Sequence, residues 1–113
     1  MFYITNAFSL NMIEESLDYG EIVFAVVEDP VDFVRETEAR LGGKAVSAVG
    51  HADTAAIFTG ILGTEVPAAR TSVILTPSDV LLVGQYKGPR LPEGSTELPA
   101  GSKITWYHVA LDA

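Results

Sequence analysis

Three short polar clusters punctuate an otherwise apolar chain. They are Asn6-Ala7-Phe8-Ser9, Gly50-His51-Ala52-Asp53-Thr54 and Arg90-Leu91-Pro92-Glu93-Gly94, with Arg70 and Gln85 isolated between them. Each falls where the surrounding pattern ends a strand or begins a helix, the places where α/β proteins collect functional groups. Together they offer amide and hydroxyl donors, one imidazole, two guanidinium groups and two carboxylates. That inventory suits binding a phosphodiester and moving a proton on it.

His51 is the main catalytic candidate. Free N–H groups and the dipole at a helix start favour an anion. Cleavage of RNA by its own 2′-hydroxyl needs in-line attack on phosphorus and a proton for the departing 5′-oxygen. Imidazole can donate that proton near neutral pH; the bland alternative is a histidine that caps its own helix. Arg70 and Arg90 are two of four arginines and are the phosphate-binding candidates. Guanidinium forks match phosphate oxygens two at a time. Arg70, at a strand start, can instead pair with a nearby acid, and Arg35 and Arg40 read as surface charges on a helix.

The neutral groups have two readings each. Asn6 and Ser9 suit contacts to ribose or adenine, or capping of the turn after the first strand. Thr54 can bond phosphate or bond backward within its helix. Gln85 can read a base edge. Glu93 can orient His51, share its proton or position the 2′-hydroxyl; otherwise it is a solvated loop carboxylate. Asp53 complements the helix dipole, and His108 reads as structural or surface. With two histidines, no cysteine and no H-x-x-x-H or D-x-D cluster, neither a metal site nor a cofactor is expected.

These groups need a scaffold. Phe2–Thr5 reads as a first strand. Ile22–Val27, six apolar residues rich in β-branched types, reads as a strand covered on both faces. Asp29-Pro30 opens a helix with Val31, Val34 and Leu41 on one face, closed by Gly42-Gly43. A short segment, Ala45–Val49, leads to a second helix from about His51 to Leu62. Its stripe is Ile57, Phe58, Ile61 and Leu62, and Gly63 stops it. Ser72–Leu75 and Val80–Tyr86 read as a hairpin around Thr76-Pro77-Ser78-Asp79, with Val80–Val83 central. Lys87–Ser102, rich in Gly and Pro, reads as a long loop, and Ile104–Leu111 as the final strand. The expected fold is α/β: one domain, a mixed sheet of about five strands with helices packed on it.

Bulk properties narrow the classes. A chain of 113 residues, 48% hydrophobic and 19% charged, is one domain able to bury a core. The apolar runs are too short to span a membrane. No signal peptide is recognised, and the absence of cysteine fits the cytoplasm of a prokaryotic cell. A net charge of −8 argues against a duplex nucleic-acid partner. It permits a small anion in a local positive pocket, which the acidic surface would close to long polymers.

The Asn-Ala-Phe-Ser start, the Gly-His-x-x-Thr-Ala step and the Arg-Leu-x-Glu-Gly segment, in this order and at these distances, resemble a known family. It is that of small viral and bacterial ring nucleases acting as anti-CRISPR or accessory proteins of type III systems. The resemblance runs from Tyr3 to Tyr107. It implies metal-independent cleavage of cyclic tetra-adenylate to short linear adenylates, with His51 and Glu93 catalytic and Asn6, Ser9, Thr54, Arg70, Gln85 and Arg90 binding substrate. A two-fold homodimer is expected, because the ring can present two-fold symmetry and a dimer offers each residue twice. A non-catalytic module that binds or sequesters cyclic oligonucleotides is the alternative. Relatives carry a helix before the last strand, whereas Ser95–Ser102 is too short and too rich in Pro and Gly for one, so any lid is reduced.

Overall fold

The computed structural model describes residues 1–112. Five strands form one mixed sheet in the order β2-β5-β4-β1-β3. They are β1 (Phe2–Thr5), β2 (Glu21–Val27), β3 (Val46–Ser47), β4 (Val80–Lys87) and β5 (Lys103–Asp112). β1 runs parallel to β3 and β4, while β5 runs antiparallel to β4 and β2. Two helices complete the domain, α1 (Pro30–Leu41) and α2 (Ala52–Leu62).

Both helices begin and end where local chemistry requires. The Asp29 carboxylate accepts from the Asp32 N–H at 3.1 Å, and Pro30 fills the first turn, where a missing N–H costs nothing. Gly42 and Gly63 close α1 and α2 in left-handed conformation. In α2, Ala55, Ile57, Phe58 and Leu62 are buried. In α1 the core-facing residues are Val34 and Thr37, with Phe33 beside them, and Val31 and Leu41 stay exposed. The buried stripe on α1 is thus narrower than expected.

The sheet buries two layers. On one face, Phe2, Ile4, Leu82 and Trp106 pack against Val34, Phe58 and Leu62 of the helices. Burying Phe58 completely contributes about 1.5–3 kcal/mol. Gly84 makes this layer possible. A Cβ there would sit 2.6 Å from Phe58 and 2.7 Å from Trp106, whose rings lie 4.7 Å apart. Gly84→Ala should therefore cost ~1–3 kcal/mol in denaturant unfolding, through overpacking; an unchanged midpoint would show that the two rings yield freely. On the other face, Leu81, Val83, Val109 and Leu111 are covered by irregular chain carrying Phe8, Met12, Ile13, Val73 and Leu75.

Two strand expectations are corrected. Ser72–Leu75 is not half of a hairpin: it forms no strand, and Leu75 makes one parallel bridge to Ile13. β4 already has β1 on one side and β5 on the other, so no edge is left for a hairpin partner. The segment instead follows β3, with Ser47 Oγ donating to Pro67 O at 2.6 Å and Thr71 Oγ1 to Ser47 O at 2.8 Å. It then crosses to the second face. The strand missing from the expected set is β3, two residues within the Ala45–Val49 segment. Ile22–Val27 is a strand, but an edge strand paired only to β5, and its residues are largely exposed rather than covered. Phe24 is 67% exposed and Val26 59%.

Asp79 secures the turn into β4. Its carboxylate accepts from Thr76 N at 2.9 Å, from Thr76 Oγ1 at 3.1 Å, and from the Met1 ammonium at 2.9 Å. Burial pushes its pKa up, but the bonds from the ammonium and from Thr76 outweigh this, and the net shift is downward. A depressed carboxylate pKa stabilises the fold above the unfolded value and is lost as pH falls through the folded one. Parent and Asp79→Asn should thus differ in stability at neutral pH and converge below roughly pH 4. A difference that persists unchanged into acid would refute this. Among the described residues, no helix is long and apolar enough to cross a membrane.

Candidate functional site

Sheet register gathers the polar clusters. Ile4 is level with Ser47 on one side and Leu82 on the other. Because the three strands are parallel, Asn6, Val49 and Gly84 follow two residues later along one rim. The residues just beyond them are Gly50-His51 and Gln85. This rim is the carboxyl end of the parallel strands, where open α/β sheets bind ligands. Thr5 Oγ1 lies 3.2 Å from Ala7 O and 3.3 Å from Ala48 O, so its hydroxyl ties the turn after β1 to the end of β3.

His51 is the N-cap residue of α2, in extended conformation, and its side chain makes no capping bond. The imidazole is exposed at the rim, so the helix-cap alternative does not account for it. The first turn of α2 adds half-buried Asp53 and Thr54. Arg70 arrives beside Gly50 from the segment after α2, which runs along β3. Ala69 N donates to Val49 O at 2.8 Å, and the Arg70 stem passes 3.4 Å from where a Gly50 Cβ would lie. Among the described residues the ion pairs are Met1–Asp79 and Arg35–Asp32, so Arg70 and Arg90 are not neutralised by an acid.

The β4–β5 loop brings the third cluster. Tyr86 donates its hydroxyl to Pro89 O, holding the chain just before Arg90. Gly88 packs against Ser102, whose Cα would be 2.9 Å from an added Cβ, so the loop is pinched at its base. Farther out, Gly94 N donates to Asp53 Oδ1 at 3.0 Å across 41 positions. The loop carrying Glu93 is thereby tied to Asp53 in the first turn of α2, two residues after His51. Asp53 was expected only to complement the helix dipole; the fold adds this tether, which no local signal announces.

A cleft of about 370 Å³ opens on the second face of the sheet, lined by Asn6, Phe8, Phe24, Gln85 and Tyr107 among others. Asn6 and Gln85 therefore line one cleft. Ser9 lies farther out, exposed, with its hydroxyl donating to the Asn11 side-chain oxygen and its carbonyl accepting from Met12 N at 3.1 Å. His108 lies elsewhere, its ring 5.2 Å from Phe33 and its Nε2 buried without a partner. Burial, and then the charge of Arg40, lower its pKa. Among the described residues no three of His, Cys, Asp and Glu cluster as metal ligands would.

Fold and rim together define a small α/β protein with polar side chains gathered at the carboxyl ends of its parallel strands. Residues 2–101 match the STIV B116-like family, and the chain belongs to that family. It is similar to B116 of Sulfolobus turreted icosahedral virus, at 30% identity, with a TM-score of 0.74 over 96% of this chain and 97% of that one. No curated protein matches.

Proposed function

We propose that this protein is a metal-independent ring nuclease that opens cyclic tetra-adenylate and so switches off type III CRISPR signalling in the cytoplasm of a prokaryotic host. The observation that carries the reading is the meeting of an uncapped His51, an unpaired Arg70 and the Arg90–Glu93 loop at one sheet rim. Arg70, Arg90 and the free N–H groups of α2 hold phosphate, aided by Thr54. The substrate 2′-oxygen forms a bond to phosphorus as the bond to the 5′-oxygen breaks. His51 gives the departing oxygen its proton, and Glu93 positions the 2′-hydroxyl or takes its proton. The product ends in a 2′,3′-cyclic phosphate.

The exposed edge supports the dimer. β2 offers unpaired backbone groups and an apolar surface with Phe24 and Val26 uncovered. Two copies joined at β2 around a two-fold axis normal to the sheet would continue the sheet and set both clefts on one face. A two-fold ring would then lie over the joint with its phosphates reaching toward the two rims.

The test is chromatography of products in the presence of chelator, with sedimentation of the same sample. Cyclic tetra-adenylate should be cleaved far faster than linear poly-adenylate of equal adenine content, by a species of dimer mass. The −8 surface repels long polymers, and a closed ring loses less ordering entropy on binding. A stable complex without turnover would make the protein a sink for the ring. Comparable cleavage of linear RNA, or activity restored only by a divalent ion, would make it a different nuclease.

A further inference from the structure

We infer that Lys87 and Lys103, a pair outside every group assigned above, form a receiving site for a phosphate polyanion at the base of the β4–β5 loop. The inference rests on the proposed function only for the identity of that anion. The two lysines stand directly opposite each other in the β4–β5 ladder. Residues so placed in an antiparallel pair have Cβ atoms about 4.5–5.5 Å apart, and like charges there destabilise the sheet. Both lysines are exposed, and among the described residues neither joins an ion pair. An acid at either position would have relieved the repulsion, and the chain carries fifteen Asp and Glu against seven Lys and Arg. A repelling pair in so acidic a chain is relieved by an anion from outside.

The fold keeps the pair together. Gly88 follows Lys87, Ser102 precedes Lys103, and the two pack so closely that a Cβ on Gly88 would overlap Ser102. The strands are therefore in contact one position beyond the lysines, and the two charges cannot move apart by splaying the loop. Side chains two apart on a strand share a face. On the helix-free face the ladder thus presents Val83 with Tyr107, then Gln85 with Thr105, then Lys87 with Lys103. Neither lysine lines the cleft; both lie beyond it, where the chain enters the loop that carries Arg90 three positions later. A cyclic oligonucleotide carries one phosphate per nucleotide, so a ring with its reacting phosphate at the His51 rim has others to place. Lysine suits such a phosphate, as a compact charge that demands no fixed orientation. On a surface of net charge −8, a local pair of cations focuses attraction, and its effect falls chiefly on the rate of encounter and its salt dependence.

The test compares the full chain with two variants. The double variant Lys87→Gln, Lys103→Gln removes both charges and leaves polar side chains; Lys103→Glu replaces repulsion by attraction. For the double variant, kcat/KM on cyclic tetra-adenylate should fall about five- to tenfold at low salt. The gap should close as salt is added, because exposed charges are screened. Lys103→Glu should raise the midpoint of denaturant unfolding above the parental one while lowering kcat/KM at least as far. A merely structural part in the β4–β5 turn would give a loss that salt does not change. Parental kcat/KM in the double variant at low salt, or an equal loss at every salt concentration, would overturn the inference and leave the proposed activity standing. If the parent does not cleave the ring, the proposed activity falls by itself, and inorganic tripolyphosphate decides on the pair. Amide chemical shifts that move at positions 87 and 103 of the parent, and much less in the double variant, would support an anion site there. Shifts that stay still at both positions would remove it.

Discussion

His51→Ala should cleave cyclic tetra-adenylate ~10²–10⁴ times more slowly than the parent, the usual contribution of a positioned proton donor. Affinity for the ring should stay near the parental value. The reason is geometric. The imidazole makes no capping bond to α2, so its removal leaves the helix start and its N–H groups in place. The Arg70 stem passes beside Gly50, and the loop bearing Glu93 is tethered through Asp53. The missing part is the proton for the 5′-oxygen. Single-turnover rates and ring titrations of the variant separate the two quantities. Parental cleavage would assign the proton transfer to another group; equal loss of binding and rate would make His51 a phosphate ligand.

Arg90→Ala should weaken ring binding by about 1.5–3 kcal/mol, roughly ten- to 150-fold, as expected for a lost charge-assisted bond to phosphate. Glu93→Ala should weaken it much less, because a carboxylate near phosphate contributes no attraction. Among the described residues Arg90 joins no ion pair, so its whole charge is available to an anion. Its position is held by the Tyr86 bond to Pro89 and by the Gly94–Asp53 bond on its other side. The two arms of the loop therefore fix Arg90 without consuming its donors. Titration of both variants, each in the His51→Ala background so that the ring is consumed only slowly, compares them directly. Equal affinities would place the phosphate elsewhere on the rim.

Much of the scaffold was legible in the chain itself. Asp29, Pro30, Gly42 and Gly63 mark helix ends through bonds and dihedral preferences that span four residues or fewer, so they read the same in isolation as in the fold. The apolar runs of β1, β4 and β5, the buried stripe of α2 and the placing of each polar cluster after a strand are equally local. Tertiary structure decided the rest. Which strands are neighbours depends on contacts between distant parts of the chain, and an apolar run such as Ile22–Val27 suits a covered centre and a bare edge alike. Ser72–Leu75 has strand-like residues, but β1 and β5 had already taken both sides of β4. The Asp53–Gly94 tether and the meeting of Asn6, Phe24, Gln85 and Tyr107 arise only when register aligns segments far apart in the chain. Residue type determined what chemistry was on offer; long-range pairing determined which groups share a site, because only folding sets their distances.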